Sequence, residues 1–165
     1  MPTEDQLKKE IEQLFDKEVF ALTCGPSTGS RFKLEIGKKV LRERYINNPH
    51  LTEENRKFQG EYSLMVYCSW RLQDKNDKVI ASWQDSNEKE GLMTKGLESL
   101  VGDKITNISF SPQFDCVINF TSGRYLNIFS DVSREGNNDT NWRFGIKGKY
   151  LILHNDYQLE YVEKR

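Results

Sequence analysis

Cysteine, histidine and proline are scarce in this sequence. Among 165 residues there are three cysteines, two histidines and four prolines. The cysteines (Cys24, Cys68 and Cys116) are odd in number, far apart, and placed inside apolar, strand-like runs. This pattern favours buried free thiols in a reducing compartment over a disulfide framework, and it lacks the ligand spacing of a zinc site. We therefore predict no disulfide, no metal site and no cofactor.

Long apolar runs are missing as well. No stretch approaches the roughly 20 apolar residues that a membrane helix needs. The N-terminal residues 1–6 are acidic and polar, whereas a signal peptide begins with a basic segment followed by an apolar one. We therefore expect a cytoplasmic protein without a membrane partner.

Neither sign of charge dominates the composition. The chain has 24 Lys and Arg residues against 25 Asp and Glu residues, which gives a formal net charge of −1. This balance argues against direct nucleic-acid binding of the basic-patch kind. Hydrophobic residues make up 36% of the chain and aromatic residues 12%, enough to build a core. The length predicts one domain that spans residues 1–165.

The first 60 residues contain a helix, a hairpin and a segment without clear periodicity. Thr3 and Gln6 have the spacing of a capping box, so we predict a helix over 3–16 with one apolar stripe. Alternating apolar residues on both sides of a turn-rich segment predict a β-hairpin over 18–36. Residues 37–60 are locally basic and contain Asn47-Asn48-Pro49, and we interpret them as a loop.

Residues 62–165 predict the main sheet and a second helix. Apolar residues occupy every second position from Tyr62 to Leu72, which predicts one long strand with Trp70 in the core. A helix over 87–101 ends before Gly102. The short strands that follow are separated by turns, which implies antiparallel pairing. The predicted fold is α+β, with an antiparallel, strongly curved sheet or half-barrel and two short amphipathic helices.

No arrangement of residues predicts catalysis. Nothing in the spacing joins His50 to His154, and the turn over 25–30 lacks the lysine of a phosphate-binding loop. We therefore predict no catalytic residues and no enzymatic activity. The alternative is a small nuclease or nucleotide hydrolase that uses His50 or His154 with the acidic loop over 131–139.

Two surfaces are candidates for binding. Carboxylates at the start of the second helix and in the loop before Trp142 suggest an acidic patch that contacts a protein partner, with six residues: Glu88, Glu90, Asp131, Glu135, Asp139 and Trp142. Six Lys and Arg residues between Arg31 and Arg44 form a basic segment. That segment supports a second alternative, a nucleic-acid or nucleotide-binding adaptor in a defence system.

Several segments of residues 62–165 carry a family resemblance: Tyr67-Cys68-Ser69-Trp70-Arg71-Leu72, the helix end over 97–105, Ile118-Asn119-Phe120-Thr121-Ser122-Gly123, and Leu126-Asn127-Ile128-Phe129 followed by Asn141-Trp142. They resemble small uncharacterised bacterial domains found beside toxin, immunity and antiviral loci. The resemblance implies an immunity protein that inhibits a cognate toxin, such as a nuclease domain, by occluding its active site. It implies no site residues.

Overall fold

Strands dominate the computed structural model, which describes residues 3–164. The elements in chain order are α1 (Glu4–Ile11), β1 (Val19–Thr23), β2 (Phe32–Leu41), α2 (Glu53–Lys57), β3 (Phe58–Val66), β4 (Ser69–Gln73), β5 (Val79–Ser82), α3 (Leu92–Glu98), β6 (Ile105–Phe110), β7 (Cys116–Phe120), β8 (Tyr125–Phe129), β9 (Thr140–Ile146), β10 (Lys149–His154) and β11 (Leu159–Glu163). This architecture confirms the α+β prediction. None of the helices within residues 3–164 has the length and apolar character needed to cross a membrane.

The strands form two antiparallel sheets. The larger sheet has the strand order β1-β2-β3-β9-β10-β11, and the smaller sheet has the order β5-β4-β8-β7-β6. Side chains alternate along a strand between the two faces of its sheet. In the larger sheet, six residues that are paired side by side across the six strands, which we call a register row, face the core. They are Leu22, Leu34, Leu64, Phe144, Leu151 and Tyr161.

One hydrophobic core joins the two sheets. Trp70 on β4 meets Phe32 on β2 in an edge-to-face contact, with 5.0 Å between the ring centroids. Phe110 on β6 packs against Trp142 on β9 at 5.6 Å. The predicted stripe of the first helix also packs into this core, and the predicted capping box at Thr3 is present.

The long strand predicted over residues 62–72 is two strands. The chain leaves the larger sheet after Val66 and enters the smaller one at Ser69, so Tyr67 and Cys68 form a crossover. The apolar alternation continues through the break because both halves face the same core. Trp70 is buried, as predicted.

The interpretation of residues 37–60 as a loop is wrong. Strand β2 extends to Leu41, α2 follows, and β3 starts at Phe58. The β2–β3 pairing is interrupted near Gly37, which has a φ of +83°. A Cβ atom on the facing Gly60 would lie 2.6 Å from the backbone nitrogen of Ile36, so the strands need glycine there. The hairpin beyond this bend is largely solvent-exposed, and the apolar alternation is therefore absent from it.

The second helix is shorter than predicted. Residues 87–91 form a turn, and α3 covers only Leu92–Glu98. The buried positions of the predicted stripe, Met93, Leu97 and Leu100, do face the core, whereas Val101 is exposed.

Candidate binding surface

The two histidines lie in different parts of the structure. His50 is exposed and lines a cleft of about 460 Å³ near the turn after β1. His154 is buried at the end of β10, where Nε2 lies 2.8 Å from a carboxylate oxygen of Glu160 and Nδ1 lies 3.2 Å from the carbonyl oxygen of Asn138. These contacts tie the loop after β8 to the last hairpin. Within residues 3–164, no group of three or more histidine, cysteine, aspartate or glutamate side chains could hold a metal ion.

The three cysteines are free thiols, and burial sets their chemistry. Desolvation raises the pKa of Cys68 to about 12 and the pKa of the fully buried Cys116 well above its usual value. The pKa of Cys24 is also raised, first by burial, although this thiol is half-exposed beside Thr94.

We expect native protein at pH 8 to react with at most one equivalent of a thiol-specific reagent, such as an aromatic disulfide that releases a coloured thiolate. Thiolate is the reactive form, and raised pKa values keep Cys68 and Cys116 protonated at this pH. The same titration in guanidinium should count three thiols, and Cys24→Ser should remove the native signal. Rapid labelling of two or more thiols in native protein would contradict the burial of Cys68 and Cys116.

Trp142 cannot belong to a partner-binding surface, so that prediction is wrong. Its side chain is 0% exposed. The indole Nε1 donates hydrogen bonds to the carbonyl oxygen of Phe114 and to Oγ of Ser130, both at 3.2 Å. The ring also packs against Phe110 and Phe144. Trp142 therefore lies in the core between the two sheets.

The five predicted carboxylates are exposed and fall into two groups. The segment with Glu88 and Glu90 is held by Asn87, whose side-chain amide donates to carbonyl oxygens in the turn after β1. The loop over 131–139 is instead hydrogen-bonded to Asn155 in the turn after β10. Both turns lie at the same end of the larger sheet, but they are about four strand spacings apart, roughly 19 Å.

The most distinctive surface is the outward side of the larger sheet, which we call the outer face. Its two register rows are Thr23, Lys33, Met65, Arg143, Ile152 and Glu160, and Ala21, Glu35, Ser63, Gly145, Tyr150 and Val162. Apolar side chains on β3, β10 and β11 are half-exposed here and do not belong to the hydrophobic core: Met65, Tyr150, Ile152 and Val162.

A buried carboxylate organises one end of the outer face. Glu35 is 2% exposed, and one of its oxygens accepts a hydrogen bond from the backbone amide of Gly60 at 2.6 Å. The other oxygen lies 2.8 Å from Nζ of Lys33, without the alignment of a hydrogen bond, and 3.7 Å from Nη2 of Arg42. Glu35 therefore anchors the bend of the β2–β3 hairpin and neutralises part of the basic segment.

Two further cations lie near this carboxylate on the outer face, Arg143 and Lys164. Within the described chain, neither Arg143 nor Lys164 forms an ion pair. The guanidinium carbon of Arg143 and Nζ of Lys164 lie 4.3 and 5.0 Å from the centre of the Tyr150 ring. Burial, followed by the charges of Lys33 and the two nearby arginines, lowers the pKa of Lys164, and Glu35 is the carboxylate that opposes this effect. This region thus has four cations around one carboxylate.

Sequence reasoning did not identify the outer face. Its apolar members alternate with core residues, and alternation alone does not say which strands are neighbours. Comparisons with protein-family models, curated proteins and solved structures found no match to this chain. The chemistry of the chain's own surfaces therefore has to indicate its function.

Proposed function

We propose that this is a non-catalytic binding protein whose outer face docks onto a protein surface rich in carboxylates. The composition of the outer face is the observation that carries the proposal. Tyrosine, methionine and arginine are enriched at the centres of protein interfaces, and Tyr150, Met65 and Arg143 are adjacent here. The excess of positive charge around Lys164 favours an acidic partner and would speed its association.

A protein partner fits this surface better than a nucleic acid does. Aliphatic side chains of Ile152 and Val162 lie among the cations and offer a contact area that a phosphate backbone would not use. The basic segment is also partly neutralised within the molecule. Lys33 and Arg42 face the carboxylate of Glu35, and Lys39 pairs with Glu54.

The resemblance of residues 62–165 to domains beside toxin and immunity loci supports a toxin as the partner. An antiparallel sheet on a continuous core is a rigid platform that loses little conformational freedom on binding. Such a platform would inhibit a toxin by covering its active site. The exposed carboxylates at Glu88, Glu90, Asp131, Glu135 and Asp139 remain a predicted alternative contact.

The proposal is tested with two surface variants and the partner recovered from the native host. The outer-face variant combines Arg143→Glu with Ile152→Asp, and the matched control combines Glu88→Lys with Glu135→Lys. We expect the outer-face variant to bind at least 100-fold more weakly, because it reverses a central charge and places another carboxylate beside it. The control should bind within about threefold of wild type.

Binding kinetics at low and moderate salt, with circular dichroism to confirm folding, provide the measurement. Wild-type affinity in the folded outer-face variant would overturn the proposal. Loss of binding in the acidic control alone would assign the partner to the carboxylate groups instead.

A further inference from the structure

The cleft that His50 lines has the size of a small-molecule site. Its volume is about 460 Å³, and three segments that are distant in sequence form its lining. They are the end of β1 with the turn that follows it, the segment over 48–55 that enters α2, and the segment over 87–98 that contains α3. Cavities of roughly 300–1,000 Å³ are typical binding sites for small molecules.

Two asparagine side chains bring hydrogen-bond acceptors to the cleft. Asn55 is only 8% exposed, and its Nδ2 faces the carbonyl oxygen of Leu22 at 3.5 Å. Nδ2 of Asn87 donates to the carbonyl oxygens of Gly25 and Gly29, at 3.0 and 2.8 Å. These contacts fix the orientation of both amides, because only the nitrogen of an amide side chain can donate. Neither amide oxygen accepts a hydrogen bond from a described residue, and both side chains line the cleft.

A carboxylate is the third acceptor. Thr94 and Glu98 are four residues apart on α3, so both lie on the helix face that lines the cleft. Burial raises the pKa of the Cys24 thiol, and the negative charge of Glu98 raises it further. Lys89, at the other end of α3, is the one lysine or arginine among the described residues of the lining. Neither Glu98 nor Lys89 forms an ion pair within residues 3–164.

Apolar groups line the same cleft. Leu22 and Leu51 are both half-exposed, and Leu51 does not belong to the hydrophobic core. The Cys24 thiol, which lies 3.9 Å from Oγ1 of Thr94, stays neutral at physiological pH because its pKa is raised. The cleft therefore offers an apolar contact together with acceptors and one negative charge.

We propose that this cleft binds a small molecule that carries a primary ammonium group on an apolar body. An ammonium has three N–H donors and one positive charge. These match the amide oxygens of Asn55 and Asn87 and the carboxylate of Glu98, while the apolar body packs against the leucine side chains. Two sources supply this chemistry. One is a simple amine, and the other is an amino acid, whose carboxylate would pair with Lys89.

The test uses three probes with the same branched apolar body: isopentylamine, free leucine, and isocaproate, which has no ammonium group. Each is titrated at neutral pH into the wild-type chain and followed by the backbone amide signals of Cys24, Asn55 and Thr94 in NMR spectra. We expect saturable shifts with isopentylamine, with leucine or with both, and none with isocaproate. Tighter binding of leucine would assign the site to an amino acid, whereas binding of isopentylamine at least as tight would assign it to an amine.

Two variants and a second measurement distinguish a built site from general attraction to carboxylates. Glu98→Gln should weaken the bound probe by about fivefold or more, because it replaces a charge-assisted hydrogen bond with a neutral one. Glu88→Gln removes an exposed carboxylate that does not line the cleft and should leave the affinity unchanged. A bound probe should also slow the reaction of Cys24 with the thiol reagent, more in wild type than in Glu98→Gln at equal probe concentration.

Any of three results would overturn the ammonium site. They are the absence of saturable shifts with both ammonium probes, equal shifts with isocaproate, and unchanged probe binding in Glu98→Gln. The inference does not depend on docking at the outer face. Neither Arg143 nor Ile152 lines the cleft, so the outer-face variant should bind the probes as wild type does. Failure of one proposal therefore leaves the other intact.

Discussion

Replacing Trp70 with alanine should lower the free energy of unfolding by about 3–5 kcal/mol, the usual cost of removing a large aromatic side chain from a packed core. The Trp70 side chain is 0% exposed and packs against Phe32 of the opposite sheet. Its indole nitrogen also donates a 2.9 Å hydrogen bond to the carbonyl oxygen of Ser30. The substitution therefore removes both packing and a polar link between the sheets.

Thermal unfolding and urea titration measure the effect. A loss of this size corresponds to a melting temperature lower by roughly 6–20 °C for a chain of this length. Trp83→Ala is the matched control, because Trp83 is 41% exposed and its loss should change stability by no more than about 0.5 kcal/mol. Equal melting temperatures for the Trp70 and Trp83 variants would contradict the central position of Trp70.

Replacing Glu35 with alanine should cost about 3 kcal/mol, because removing one member of a buried charge cluster leaves its partners unpaired. The side chains of Lys33 and Arg42 are only 20% and 14% exposed, so water cannot fully replace the carboxylate. The backbone amide of Gly60 would lose its acceptor as well. We expect the bend of the β2–β3 hairpin to loosen.

Two comparisons separate charge from shape in this experiment. Glu35→Gln keeps an oxygen acceptor for Gly60 but removes the charge, and it should therefore cost less than the alanine substitution. Glu54→Ala breaks an exposed pair with Lys39 and should cost less than about 1 kcal/mol. Urea titrations that place the Glu35→Ala variant within 1 kcal/mol of wild type would show that the cluster does not hold the hairpin.

The sequence predicts well those parts of the fold that depend on local periodicity. The stripe of the first helix and the burial of Trp70 follow from the spacing of apolar residues, and the structure confirms both. Strand pairing is different, because it joins distant segments. The crossover at Tyr67 and Cys68 could not be predicted from an alternation that continues on both sides of it.

The candidate site depends on contacts between distant segments and was missed for that reason. Glu35 stands between Leu34 and Ile36 in the sequence, where alternation predicts an exposed strand residue, yet its side chain is buried and accepts a hydrogen bond from the amide of Gly60. Ser63, Gly145 and Lys164 come together only because β3, β9 and the end of the chain are brought side by side. Trp142 shows the opposite error. The polar loop before it led to the prediction that it is exposed, but its position on β9 directs the side chain into the core.

The order of strands in the larger sheet also has a consequence for how the chain is made. Strand β3 lies between β2 and β9, and its partner residues on β9 are roughly 80 positions later in the sequence. During synthesis, one edge of β3 stays unpaired until β9 has left the ribosome. To pair over such a distance, the chain must lose loop-closure entropy before the strand contacts form and compensate for it. Long-range pairing of this kind slows folding. A chain that ends before Thr140 would leave this edge of β3 open to pairing with other molecules, which is an aggregation hazard.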